Sequence, residues 1–182
     1  MNINLQSTLT HKNIQLIPLV KEDFEALYKT ASDPKIWEQH PNKNRWQKEA
    51  FTNYFEGAIQ SKGAFKILDT TDNSIMGSTR FYDYNETEKS VLIGYTFYAT
   101  KYWGKGINHA VKTMMLNYIF DVVSTVYFHV GAENIRSQIS ITRLGAEKVK
   151  EIEVAYFGEP TKLNFEYKIE KEKWNLQKKK FV

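Results

Sequence analysis

A short stretch with two glycines connects a predicted strand to a predicted helix, and its residue types suit phosphate chemistry. It spans residues 101–108 and reads KYWGKGIN. Glycine permits close backbone approach and positive φ, while the first turn of a helix offers unpaired N–H groups and the positive end of the helix dipole. Such a turn can hold a pyrophosphate through its backbone, with Lys105 as a nearby cation. Two glycines before a helix also fit an ordinary tight turn.

Other phosphate-binding and metal-binding motifs do not fit the sequence. It contains no G-x-x-x-x-G-K-[ST] pattern, and His109 stands where G-x-G-x-x-G needs its third glycine. We therefore do not expect a nucleoside triphosphatase. The four histidines form no His-x-x-x-His pair and cysteine is absent, so we expect no metal site, no disulfide and no cysteine nucleophile.

Apolar periodicity predicts the elements that position this turn. Helical spacing predicts helices over residues 24–31, 51–59, 107–123 and 134–144. Extended segments are predicted over residues 14–19, 64–68, 74–82, 90–98, 125–130, 149–156 and 163–169. Turn residues between the second, third and fourth of these segments indicate an antiparallel meander. The order predicts an α/β (α+β) fold with a mixed, mostly antiparallel sheet of about seven strands, flanked by helices.

Length and composition predict a single domain spanning residues 1–182. The chain is long enough to bury one sizeable core, and no repeat or linker divides it. No 18-residue apolar run and no signal peptide are found, so we expect a cytoplasmic protein without a membrane partner. A formal charge of +4 would suit nucleic acid or a polyphosphate cofactor. The lysines at 178–180 are interpreted as a solvated tail.

Several motifs, taken together, resemble the GNAT superfamily of N-acetyltransferases. They are residues 93–97 (IGYTF), residues 102–106 (YWGKG), Asn134 with Ser137, and residues 144–145 (LG). Within the superfamily the sequence resembles the RimJ/RimL-like branch, through residues 16–19, 23–24, 32–37, 167–169 and Trp174. The resemblance covers roughly residues 13–175, and its motifs agree in order with the independently predicted elements.

The resemblance implies a GNAT-like acyl-CoA N-acyltransferase fold with acetyl-CoA as co-substrate, and transfer of its acetyl group to a primary amine by direct attack. The pyrophosphate would be wrapped by backbone N–H groups of Trp103, Gly104, Lys105, Gly106, Ile107 and Asn108. The pantetheine arm would bind where the preceding strand splays from its parallel neighbour, at Thr96, Phe97 and Tyr98. Asn134 would contact the cofactor arm, cap the following helix, or do both.

The resemblance leaves the catalytic residues less defined. Ser137 occupies a position from which some RimL-like enzymes protonate the departing thiolate, but an ordinary first-turn polar residue also explains it. Ile141 stands where many relatives carry a tyrosine acid, and Leu92 stands where many carry a glutamate. Candidates for a general base, each also explained as a surface or structural residue, are Glu38, His40 and Glu153.

The sequence does not decide whether the acceptor amine is a small molecule or a protein N-terminus. It also does not decide whether the protein forms a homodimer. Two other functions are compatible with parts of the sequence. A non-catalytic acyl-CoA-binding protein of the same fold is favoured by Leu92 and Ile141. A small basic RNA-binding domain is favoured by the pI near 9.0, but the sequence lacks a ribonucleoprotein strand motif, so we do not expect nucleic acid as a partner.

Overall fold

The computed structural model describes residues 3–178, and these contain an eight-stranded sheet. The strands are β1 (Leu9–His11), β2 (Ile14–Pro18), β3 (Ala64–Asp69), β4 (Ser74–Asn85), β5 (Ser90–Tyr98), β6 (Thr125–Gly131), β7 (Glu147–Ala155) and β8 (Thr161–Glu170). Their spatial order is β1-β2-β3-β4-β5-β6-β8-β7. Among these eight strands of residues 3–178, only β5 and β6 pair in parallel. The predicted mixed, mostly antiparallel sheet is confirmed, with the three-residue β1 added to the seven predicted strands.

Five helices cover the two faces of the sheet in the described part of the chain. They are α1 (Phe24–Ala31), α2 (Lys48–Gln60), α3 (Ile107–Ile119), α4 (Ile135–Arg143) and α5 (Lys171–Lys178). α1 and α2 bury Leu27 and Phe51 in a cluster that includes Phe97 of β5. α3, α4 and α5 bury Met115, Ile141 and Trp174 against the opposite face. The sheet therefore carries an α1/α2 face and an α3/α4 face.

The bounds of α3 differ from the prediction at its C-terminal end. α3 ends at Ile119 rather than at Val123, because Phe120 caps the helix and the chain then turns toward β6. Val123 remains almost fully buried in the core. Its burial explains why its apolar side chain continued the helical pattern although its backbone does not.

Two further features concern the predicted partners of the chain. Within residues 3–178, no helix is long and apolar enough to cross a membrane. The same residues contain no group of three histidine, cysteine, aspartate or glutamate side chains placed to hold a metal ion. Of the terminal lysine run, Lys178 ends α5, whereas Lys179 and Lys180 lie outside the described residues.

Candidate active site

A cleft opens in the middle of the sheet, where the parallel strands β5 and β6 separate. Their pairing begins at Ser90↔Thr125 and ends at Leu92↔Tyr127, although both strands continue. At its other edge β5 pairs with β4, and an extra residue in β5 shifts the register of this pairing. Tyr95 lies there with φ of 52°, a conformation that is rare for bulky residues and concentrates at functional sites. The bulge therefore lies just beyond the last β5–β6 pair, where the two strands no longer pair with each other.

The glycine turn lies at the mouth of this cleft. A short 3-10 turn, Thr100–Tyr102, follows β5, and α3 begins at Ile107. Gly104 and Gly106 both have φ of 74°, which explains why glycine is required at these positions. A Cβ atom at either position would meet nothing within 4 Å, so the turn faces open space. Since the first N–H groups of a helix lack intrahelical acceptors, such a turn can bind a phosphate group through its backbone.

Side chains behind the turn hold its frame. The Tyr98 hydroxyl donates to Asn108 Oδ1 at 3.1 Å, and Asn108 Nδ2 donates to Ser140 Oγ at 2.6 Å. Trp103 Nε1 donates to the backbone carbonyl of Tyr98 at 3.0 Å. Burial raises the pKa of the Tyr98 phenol, which keeps it a neutral donor. The side chains of Tyr98 and Asn108 therefore connect β5, α3 and α4, leaving backbone groups for a ligand.

The other lip of the cleft is the N-terminus of α4. Asn134 caps this helix, because its Oδ1 accepts a hydrogen bond from the Ser137 backbone N–H at 3.1 Å. Ser137 is half-buried in the first turn. The Arg136 guanidinium lies 3.9 Å from the centroid of the Trp103 ring and so joins the two lips. The helix-cap interpretation of Asn134 is confirmed, and the predicted cofactor residues lie on both sides of one cleft.

The predicted β5 residues point to opposite faces of the sheet. On the α3/α4 face, the Thr96 hydroxyl lies 2.8 Å from the Thr79 hydroxyl and accepts a hydrogen bond from Lys112 Nζ at 2.6 Å. On the α1/α2 face, the Phe97 ring packs 5.1 Å from the ring of Trp37. The Phe97 side chain belongs to the core, so only its backbone is placed to contact a ligand in the cleft.

Lys112 is a buried amine that the sequence analysis missed. Its Nζ donates to Thr96 and also to Thr79 at 3.0 Å, and it forms no salt bridge within residues 3–178. Burial lowers the pKa of Lys112 to about 7. The available signal was its helical phase, since Lys112 shares the buried face of α3 with Met115 and Ile119.

A buried ion pair lies on the α1/α2 face of the sheet, next to the bulge. Arg45, 1% exposed, donates through Nε and Nη2 to the Glu159 carboxylate at 2.6 and 2.5 Å. Asn42 Nδ2 donates to the same carboxylate. The Arg45 guanidinium lies 5.1 to 5.7 Å from the ring centroids of Trp37, Tyr54, Tyr95 and Tyr156. This aromatic cage ties the segment before α2 to the β7–β8 loop, a contact between residues 114 apart in sequence.

The three candidate bases have different surroundings. Burial, with the nearby Arg45 and Arg136 charges, holds the pKa of His40 well below its usual value. His40 Nδ1 lies 3.3 Å from the Asn42 backbone N–H, and His40 Nε2 lies 3.2 Å from Arg45 Nη1; a neutral ring accepts a hydrogen bond at one of these two nitrogens. These contacts favour a structural role for His40. Glu38 and Glu153 are exposed, the latter on the edge strand β7.

Comparison with known families identifies the class of protein. The family model described as "Acetyltransferase (GNAT) domain" matches residues 13–147. The chain therefore belongs to the GNAT acetyltransferase family, whose members use acetyl-CoA to acetylate amines. No curated protein matches the sequence.

Solved structures share this fold. A GCN5-related N-acetyltransferase from Brucella melitensis is 14% identical with a TM-score of 0.79, covering 96% of this chain and 83% of that chain. Spermidine N-acetyltransferase from Vibrio cholerae, in complex with CoA and spermine, is 15% identical with a TM-score of 0.70, covering 91% and 99%. A ribosomal-protein-S5-alanine acetyltransferase from Vibrio fischeri is 14% identical with a TM-score of 0.67, covering 93% and 99%. At these identities the likeness concerns the fold alone.

Proposed function

We propose that this protein binds acetyl-CoA in the cleft between β5 and β6 and transfers the acetyl group directly to a primary amine. The observation that carries the proposal is the combination of a parallel strand pair that stops at Leu92↔Tyr127 with the open turn formed by Gly104 and Gly106. The pair supplies unpaired backbone for an extended arm, and the turn supplies N–H groups for a pyrophosphate. Residues 1–182 would form one catalytic domain.

Each predicted cofactor residue has a role in this proposal. Backbone N–H groups of residues 103–108 would hold the pyrophosphate, with Lys105 as a screened, exposed counter-charge. Backbone groups of residues 96–98 would bind the pantetheine arm along the open edge of β5. Asn134 caps α4 through its Oδ1, so any contact with the arm would come from its amide nitrogen.

Bound acetyl-CoA would supply a thioester, whose carbonyl carbon is attacked by the amine and whose sulfur leaves as a thiolate. A backbone N–H of β5 at the bulge would stabilise the negative charge that develops on the carbonyl oxygen, a contribution of roughly 3 kcal/mol by analogy with other oxyanion sites. Since Lys112 touches Thr96 from the α3/α4 face, it would help to fix this part of β5.

Proton transfers complete the reaction. The hydroxyl of Ser137, in the first turn of α4, would pass a proton to the thiolate, directly or through water. Because a thiol has a pKa of about 8.5, such assistance need only be modest at neutral pH. The amine must lose a proton before attack. Glu38, His40 and Glu153 stay the candidates to accept it, directly or through water, and of these His40 is in contact with Arg45.

The RimJ/RimL-like assignment is the finer part of the proposal. It rests on the sequence motifs and on a fold shared with a ribosomal-protein-S5-alanine acetyltransferase and with a spermidine N-acetyltransferase. The acceptor would then be a protein N-terminus or a small amine, and it would approach from the α1/α2 face, where the aromatic cage meets the bulge.

An acetyl-CoA-dependent thiol-release assay tests the proposal with peptide N-termini, amino acids and polyamines as acceptors. We expect turnover with at least one class, and its loss when Gly106 is replaced by valine. Binding of acetyl-CoA without turnover of any acceptor would instead support a non-catalytic acyl-CoA-binding protein. Failure of acetyl-CoA to bind at all would contradict both.

A further inference from the structure

Arg80 of β4 is a buried arginine with no carboxylate partner in the described part of the chain. It is 3% exposed on the α1/α2 face, and its guanidinium carbon lies 3.2 Å from the centroid of the Tyr95 ring. Within residues 3–178 it forms no salt bridge, and its Nε is buried without a hydrogen-bond partner. Burial lowers the pKa of Arg80, but arginine stays protonated in proteins. The Tyr95 and Tyr54 rings offset part of the cost of burying this charge, and an anion would offset the rest.

The charge of the neighbouring Arg45, by contrast, is compensated by a carboxylate. Its guanidinium is bound by both carboxylate oxygens of Glu159, within the same group of aromatic rings. The rings of Tyr54 and Tyr95 lie near both arginines. The cage thus holds two guanidinium groups and one carboxylate, and the excess positive charge belongs to Arg80.

Arg80 also lines a cavity of about 390 Å³ that is open to solvent and touches the β5 bulge. Its walls include Gln60 and Ser61 from the end of α2, Tyr82 from β4, Tyr95 from β5 and Phe157 from the β7–β8 loop. A cavity of this size accepts a small molecule. Asp83 stands at the rim but is exposed and forms no salt bridge with Arg80 in the described structure, so water screens its charge.

We propose that Arg80 binds the carboxylate of the acceptor, so that the acceptor is an amine that also carries a carboxylate, as in an amino acid. This inference rests on the proposed acetyl transfer. The planar guanidinium fork matches a carboxylate in two parallel hydrogen bonds. Tyr95 belongs to both the bulge and the cavity wall, so an acceptor held by Arg80 lies beside the cleft. The aromatic walls fit an apolar side chain, and the uncompensated cation disfavours polyamines.

Direct binding of a matched pair of probes tests the site without requiring turnover. The probes are N-acetyl-L-phenylalanine and N-acetylphenethylamine, which differ only in the carboxylate and represent the products of the two acceptors. Calorimetry should show wild-type protein binding the carboxylated probe about tenfold more tightly or better, as charge-assisted bidentate pairs allow. Arg80→Met should abolish the difference. Arg143→Met, which removes an exposed arginine at the end of α4, should leave it unchanged.

The outcomes separate this inference from the proposed function. Equal binding of both probes by the wild type, or no binding of either, overturns the carboxylate site. So does transfer to phenethylamine with a kcat/KM equal to that for phenylalanine. Failure of acetyl-CoA to bind, while the Arg80-dependent preference persists, would reject the proposed function and leave the site standing. If Arg80→Met does not fold, Arg80→Lys decides, since it keeps the charge but loses the fork and should weaken the preference; an unchanged preference overturns the site.

Discussion

Ser137 and Ser140 lie one turn apart on α4 in different surroundings. The Ser140 hydroxyl accepts a hydrogen bond from Asn108 and belongs to the frame behind the glycine turn. Ser137 is half-buried directly after the cap Asn134, at the lip of the cleft. The position that the missing tyrosine would take is filled by Ile141, which is buried in the core. Of these α4 residues, Ser137 is therefore the one that we propose as the proton donor to the thiolate.

Ser137→Ala should lower kcat by roughly tenfold to a hundredfold while acetyl-CoA affinity stays unchanged, as for removal of a modest general acid. Steady-state kinetics at saturating acetyl-CoA, combined with calorimetry, measure both quantities. Thr142→Ala, on the exposed side of the same helix, serves as the control and should behave as wild type. Wild-type kcat in Ser137→Ala would remove the serine from the mechanism and leave water as the donor.

The burial of Lys112 makes the stability of the fold depend on pH. Its pKa is about 7 in the folded protein, against about 10.4 for a lysine in an unfolded chain. Between these values unfolding takes up a proton, so the stability of the fold rises with pH. Below the folded pKa both states carry the proton, and the burial penalty is fully present. No charged side chain contributes to this shift, which arises from burial among Thr79, Thr96 and their neighbours.

Lys112→Met removes this dependence. The melting temperature of wild type minus that of Lys112→Met should increase by about 5 °C between pH 7 and pH 9, given the free energy linked to such a pKa difference. Thermal melts across this range, monitored by circular dichroism, provide the measurement. A constant difference would mean that Lys112 has an ordinary pKa in the folded protein.

At the scale of elements, the turn before α3 is defined by its backbone conformation. Gly106 caps α3 with φ of 74° and ψ of 1°, in the left-handed region. No atom lies within 4 Å of a Cβ placed there, so a side chain at position 106 would not clash with the rest of the protein. It would instead strain the backbone of the turn and obstruct a ligand. The orientation of the N–H groups, and hence anion binding, depends on this conformation.

Gly106→Ala should therefore weaken acetyl-CoA binding by about tenfold or more, because a strain of about 1–3 kcal/mol favours a rearranged turn. Gly158→Ala is the control for strain outside the turn, since Gly158 also has positive φ, 66°, but lies in the β7–β8 loop, where an added Cβ would lie 3.1 Å from Asn53. Calorimetry should find its acetyl-CoA affinity unchanged. Equal affinities for both variants and wild type would show that the turn is only structural.

The ion pair of Arg45 and Glu159 connects the segment before α2 to the β7–β8 loop. Their side chains are 1% and 8% exposed, so removing one partner leaves a buried charge without compensation. Arg45→Met or Glu159→Gln should each lower the free energy of unfolding by about 3–5 kcal/mol, and the double variant by less than the sum. Urea denaturation provides the values. Glu25→Gln, which breaks the exposed pair with Lys48, should cost under about 1 kcal/mol; equal losses at the two pairs would contradict this account.

For the molecule as a whole, local patterns predicted most of the fold. α4 was predicted at its true position because Asn134 caps it and Gly145, with φ of 86°, follows it. The three-residue β1 was missed because it is too short to show alternation. α5 was missed because Trp174 is its main buried residue and Leu176 is exposed, so its apolar stripe is too sparse.

The site likewise contains a part that the sequence predicts and a part that it does not. The glycine turn is one contiguous segment, and glycine itself indicates the positive φ that the turn needs, so the sequence predicted it. The aromatic cage depends on contacts between Arg45 and the β7–β8 loop, which no local pattern encodes. Arg80 occupies an ordinary strand position, and only the folded structure shows that it is buried with no carboxylate partner among residues 3–178.

Titration of the wild-type protein with acetyl-CoA, by calorimetry together with thermal melting, tests directly whether the β5–β6 cleft binds this ligand. We expect one binding event per chain. Ligand at about 100 times its dissociation constant should then stabilise the fold by about 2.7 kcal/mol, a rise in melting temperature of about 5–10 °C. No heat of binding and no shift in melting temperature at millimolar acetyl-CoA would contradict the assignment of the β5–β6 cleft as an acetyl-CoA site.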